Sequence, residues 1–176
     1  DTDGDDLPDG WEADHVSCSF DPLSWESESR ILLKIGGDQR ISFTSSLSRA
    51  PSVVWTGSEF GAGWFEYVDS TNNILSFARL ASNGSKIESE KTISTQAGYV
   101  FTPPSLAWTG SQFGISWFDN RDGNSEIYFA RMAADGVMMG PDLRVTMNAS
   151  YSYSPSLTWT GSEFGVCWFD NRDGNE

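Results

Sequence analysis

Short runs along this chain alternate side to side with a period of two. In the run from Phe113 to Asp119, Phe113, Ile115 and Trp117 fall on one face, and Gly114, Ser116 and Phe118 fall on the other. A period of two marks a β-strand, and apolar or small residues on both faces mark a strand covered on both sides. The same pattern predicts strands at Ser105 to Thr109, Glu126 to Met132 and about Asp142 to Thr146. The turn residues Thr109-Gly110-Ser111, Asp122-Gly123 and Ala134-Asp135-Gly136 separate them. Four short strands joined by tight turns make an antiparallel sheet.

The pattern repeats. Pro51 to Gly61, Pro104 to Gly114 and Pro155 to Gly165 are nearly the same eleven residues, with the prolines 53 and then 51 residues apart. A period near 50 residues signals stacked supersecondary units that bury their apolar faces on one another. The preceding copy predicts a third strand at Ile74 to Leu80, a turn at Ser82-Asn83-Gly84 and a last strand at about Glu90 to Ser94. The spacing from last strand to next proline places Ile35 to Ser42 as the closing strand of an earlier unit. The expected organisation is therefore a segment 1–30, then repeats over 31–176: a partial unit 31–50, whole units 51–103 and 104–154, and a partial unit 155–176. Four antiparallel strands in about 50 residues predict an all-β fold of β-propeller-type blades, two whole and two partial.

Six of the eight tryptophans, Trp55, Trp64, Trp108, Trp117, Trp159 and Trp168, lie in these units. A large aromatic that buries roughly 150–250 Å² contributes on the order of 4–6 kcal/mol before entropy is subtracted. The aromatics are accordingly expected in the core.

The stretch Trp117-Phe-Asp-Asn-Arg-Asp-Gly-Asn-Ser-Glu-Ile-Tyr-Phe-Ala-Arg131 resembles the repeats of sialidase-like and TolB-like propellers of secreted microbial proteins. The resemblance covers residues 31–176 and implies blade architecture, but not an activity, because one fold hosts many functions. Where that family's box carries Asp, Phe60, Phe113 and Phe164 stand here. Two or three blades do not close a ring, since propellers use four to eight. The remaining blades are expected either from a longer protein of which this chain is a piece, which a terminus inside a repeat favours, or from copies that associate edge to edge so that exposed strands pair.

The first twelve residues differ in kind. Asp1, Asp3, Asp5, Asp9 and Glu12 carry carboxylates, and Leu7 offers a backbone carbonyl. These are the ligand spacings of a twelve-residue calcium loop, in which alternate residues aim oxygens at one hard cation and the last Glu closes the site. The stretch resembles thrombospondin type 3 and dockerin-like calcium loops, which implies Ca²⁺ as the bound ion. Asp6 occupies the position that EF-hand loops give to Gly.

The formal charge of −14 excludes a nucleic acid or an anionic membrane as the expected partner and favours cations. No apolar run is long enough for a membrane-spanning helix. A second oxygen-rich cation site is conceivable at Asp119, Asn120 and Asp122, with its copy at Asp170, Asn171 and Asp173, although hairpin chemistry explains the same residues. Arg79 and Arg131 recur on third strands and are expected to pair with the acidic turns. A single histidine, His15, rules out a Ser-His-Asp triad and pairs with Cys18 too sparsely for a zinc site. Cys167 occupies the slot of Gly63 and Ser116, where a buried inert thiol is expected, with a disulfide to Cys18 as the alternative. Asn83 and Asn148 begin glycosylation-type triplets.

Two functions are compatible with these features. One is a non-enzymatic, extracellular or cell-surface calcium-binding propeller module for adhesion, surface display or assembly, with a protein partner. The other is a sialidase-like module that binds or hydrolyses a glycan.

Overall fold

The computed structural model describes residues 38–43, 47–69, 73–97 and 102–174. The chain divides into two units, Asp1–Asp38 and Gln39–Glu176, and apart from Asp38 every described residue belongs to the second. The described part is all-β: no residue in it is helical, and every strand pair is antiparallel.

A first sheet runs in order through β1 (Leu47–Trp55), β2 (Glu59–Tyr67), β3 (Asn73–Ala81) and β4 (Lys91–Ala97). A second repeats it with β5 (Ser105–Trp108), β6 (Gln112–Asp119), β7 (Glu126–Ala133) and β8 (Leu143–Arg144). A third holds β9 (Ser152–Trp159) and β10 (Phe164–Asp170).

The Trp-Thr-Gly-Ser segment is the first hairpin of each sheet, and its chemistry is the same three times. The Thr56 hydroxyl donates to the Glu59 carbonyl at 2.9 Å and accepts the Glu59 amide at 3.1 Å. Thr109 and Thr160 make the same pair of bonds with Gln112 and Glu163. Gly57, Gly110 and Gly161 sit at φ of 104°, 101° and 104°, a conformation that side chains other than glycine's resist. Flanking the turn, Trp55 lies over Phe60, Trp108 over Phe113 and Trp159 over Phe164, with centroids 4.6, 4.5 and 4.9 Å apart.

Sheets stack by pressing a phenylalanine onto a glycine. A Cβ on Gly61 would lie 2.6 Å from the Phe113 ring of the next sheet, and one on Gly114 would lie 2.4 Å from Phe164. Leu106 and Pro104 close over Gly63 in the same way. The result is a core that runs between sheets. Phe65, Leu75 and Phe77 of the first meet Phe113, Ile115 and Trp117 of the second, and Phe77 meets Phe113 edge to face at 5.1 Å. On its other face the first sheet has a smaller cluster of Ala62, Trp64, Ala78 and Leu80, with Phe60 and Ile41 against it.

Three expectations need correction. Of the segment expected to be a closing strand at Ile35 to Ser42, Asp38 to Ser42 is described and is not a strand. There the Arg40 Nε donates at 2.7 Å to the Ser42 carbonyl, which a ladder would otherwise use. The strand expected over Asp142 to Thr146 is reduced to Leu143–Arg144, because the Thr146 hydroxyl takes the Ile127 amide at 2.8 Å in place of a backbone carbonyl. Of the six repeat tryptophans only Trp64 and Trp117 are buried, whereas Trp55 is 47 % exposed.

Candidate functional site

The polar groups of the repeats gather at the turn between each second and third strand. The second strand ends in Trp-x-Asp, so a period of two puts the indole and the carboxylate on the same face. Trp117 donates its indole N–H to Asp119 at 3.4 Å, and Trp168 donates to Asp170 at 3.2 Å. Trp64 does the same to Glu66 at 3.1 Å. Two residues further on, an arginine folds back. The Arg121 amide and Nε each reach Asp119 at 2.8 Å, and the Arg172 amide and Nε reach Asp170 at 3.2 and 2.9 Å. The first copy has Val68 at the arginine position, and there the Ser76 hydroxyl donates to Glu66 at 3.4 Å.

In the second sheet this clamp grows into a network. Arg121 also pairs with Asp142 at 2.8 Å and lies over the Tyr128 ring at 4.2 Å. Arg144 bridges Asp122 and Glu126, both at 2.9 Å. The Tyr128 hydroxyl donates to Asp122, and Thr146 donates to the fully buried Glu126. Burial opposes ionisation of Glu126, but hydrogen bonds from Thr146, Arg144 and Asn124 outweigh it and hold the carboxyl below its ordinary value. Asp122 is lowered chiefly by the Tyr128 hydroxyl, and Asp170 is lowered to about 2 chiefly by Arg172. Burial, then the bond to Asp122, raises the Tyr128 phenol well above its usual range, which leaves it a poor nucleophile at neutral pH.

The acidic turns are therefore occupied by arginines. A guanidinium already supplies the positive charge that a cation would bring, and among the described residues no three His, Cys, Asp or Glu side chains gather to hold a metal. Arg79 departs from its expected partners: it forks onto Glu59 of the adjacent strand at 2.6 and 2.8 Å and reaches Glu88 at 3.4 Å. In the next copy Gln112 replaces Glu59, and Arg131 makes no ion pair among the described residues. Arg121, Arg144 and Glu126 carry the network and were not singled out from the sequence. The Asp-x-Arg spacing within Asp119–Arg121 and Asp170–Arg172 was the available signal.

A groove of about 490 Å³ lies between β4 and the chain leading into β8, lined by Ser94, Arg121, Met138, Pro141 and Asp142. A second, of about 260 Å³, is lined by Phe129, Arg131, Met139, Pro141 and Leu143. Cys167 is a free thiol and exposed, contrary to the buried slot expected from Gly63 and Ser116. Asn83 is exposed, and its side chain accepts the Ser85 amide at 3.0 Å. Asp1, Asp3, Asp5, Leu7, Asp9 and Glu12, with His15 and Cys18, lie outside the described residues.

Comparison of this chain with protein-family models, with curated proteins and with solved structures finds no match. No helix among the described residues is long and apolar enough to cross a membrane.

Proposed function

We propose that this chain is a non-enzymatic, extracellular, calcium-binding module of β-propeller-type blades that serves adhesion, surface display or assembly. The observation that carries this reading is the recurrence of the polar clamp. Trp117, Asp119 and Arg121 reappear as Trp168, Asp170 and Arg172 with the same bonds, so these groups recur with the fold and hold its turns. In the second unit, where the clamp is larger, the added carboxylates Asp122 and Glu126 are both paired with Arg144. The acidic opening supports the calcium part through its ligand spacing at Asp1, Asp3, Asp5, Leu7, Asp9 and Glu12.

Calorimetric titration with Ca²⁺ and a melt with and without EDTA test the reading. Bound heat and a melting temperature that rises with Ca²⁺ and falls back with EDTA are expected, because a ligand held only by the folded form stabilises it. Glu12→Gln should weaken both effects. No heat and an unchanged melt would reduce residues 1–12 to a solvated acidic tail.

A second reading is a glycan-binding module. It is favoured by the second groove, where an exposed arginine without an ion pair among the described residues lies beside Phe129, a combination suited to an acidic sugar. A glycan array and a fluorogenic glycoside panel separate the two, since both should be silent for the first reading.

A further inference from the structure

The last strands of the first two sheets dispose of their polar side chains differently, and the difference leaves hydroxyls facing a groove. In the second sheet the buried Glu126 accepts the Thr146 hydroxyl and pairs with Arg144, so the side chains at and just after β8 are held within their own sheet. The ladders align Glu126 with Ile74, Arg144 with Thr92 and Thr146 with Ser94 of the first sheet. Ile74 has no polar atom with which to claim them. The hydroxyls of Thr92 and Thr95 make no hydrogen bond among the described residues, and both threonines are exposed. Ser94 is reached from the next sheet instead: the Arg121 Nη2 donates to its hydroxyl at 3.1 Å.

These residues line the groove of about 490 Å³ between β4 and the chain leading into β8. Both walls belong to four-stranded sheets, so its shape owes nothing to where the repeats stop. Thr92, Ser94 and Thr95 stand on one wall, Met138 and Asp142 on the other, and Arg121 joins the two. The guanidinium is fixed in place. Its Nε donates to Asp119 at 2.8 Å, its Nη1 pairs with Asp142 at 2.8 Å, and it lies over the Tyr128 ring at 4.2 Å. Two carboxylates against one guanidinium leave no positive charge to hold an anion. The volume falls within the roughly 300–1,000 Å³ of small-molecule sites, which set a few polar groups beside apolar surface. A lining of hydroxyls and a carboxylate beside a methionine suits a ligand that donates and accepts hydrogen bonds, has an apolar face and carries no negative charge.

We infer that this groove takes an uncharged pyranose, one residue of a glycan, with its hydroxyls on Asp142, Thr92 and Thr95 and its C–H face on Met138. Asp142 is oriented by Arg121 before the sugar arrives, and its carboxylate accepts a sugar hydroxyl in a charge-assisted bond. The inference rests on the glycan-binding reading above, but on a different groove and a different class of sugar from the acidic one placed beside Arg131.

The test is titration calorimetry and saturation-transfer NMR on the whole chain. The probes are the methyl glycosides of glucose, galactose, mannose and N-acetylglucosamine, with glucuronic acid as the acidic counterpart. At least one neutral glycoside should bind saturably. Thr92→Arg places in the groove the residue that the second sheet carries at that position, and should abolish this binding with an unchanged melt. Asp142→Asn removes the charge from the acceptor and should weaken it by about tenfold, as the loss of one charge-assisted bond does. Arg131→Gln should leave it unchanged. Neutral-sugar binding that survives Thr92→Arg and Asp142→Asn overturns the inference, as does binding lost on Arg131→Gln alone. Binding of glucuronic acid without any neutral glycoside overturns it and leaves the glycan-binding reading standing. Silence towards every probe overturns both, and the Ca²⁺ titration then decides the first reading by itself.

Discussion

In the second strand of each of the first two sheets a glycine has one task that no other residue can do: it leaves room for a phenylalanine of the next sheet. At Gly61 the incoming Phe113 is fully buried and wedged edge to face against Phe77, so an added methyl at 2.6 Å has nowhere to push it. Gly61→Ala should cost about 1–3 kcal/mol, the usual penalty for overpacking. Gly165→Ala, at the same position in the third sheet, meets only Thr158 at ordinary contact distance and should change stability by less than about 0.5 kcal/mol. Paired denaturant melts of the two variants check the contrast, and equal effects would contradict the packing.

At the scale of the element, the first strands differ in length for a stereochemical reason. β1 and β9 each carry a bulge immediately before the repeat proline, with Ala50 at φ 52° and Ser154 at φ 50°, and the strand continues pairing upstream of it. Pro103 stands at the equivalent place before Pro104, and its ring forbids positive φ, so β5 begins only at Ser105. Ala50→Pro should therefore abolish the pairing of Leu47, Ser48 and Arg49 with Tyr67, Glu66 and Phe65 and cost upwards of about 1 kcal/mol. Ala50→Gly should relieve the left-handed strain and gain about 1 kcal/mol. Hydrogen exchange at Phe65 to Tyr67 and denaturant midpoints read both. The alternation in Phe113 to Asp119 and the Thr-Gly-Ser turns made the four-strand order legible from the sequence, because period and turn chemistry are local. The bulges were not legible, since a positive φ at alanine leaves no mark in composition. Nor was the reach of Arg144 to Glu126 across β8 and β7, which needs the register. The exposure of Cys167 also escaped a reading by repeat position, because that slot is buried only where another sheet covers it.

At the scale of the whole molecule, acid should undo the turns before it undoes the core. Glu126, Asp122 and Asp170 all have folded values below their ordinary ones, so the stability they contribute is complete above about pH 4.5. It is lost as pH falls through the folded values, down to about 2 for Asp170. A chemical-denaturation series in salt high enough to screen the chain's net charge should show stability falling across that window, and a flat profile would mean the clamps contribute nothing. Beneath these effects lies the stacking of like sheets, each Phe on the glycine of the sheet before it. Nuclear Overhauser contacts between ring protons and glycine α-protons report it most directly. Cross-peaks from Phe113 to Gly61 and from Phe164 to Gly114 are expected together, and a spectrum that holds neither would contradict the repeated junction on which the fold depends.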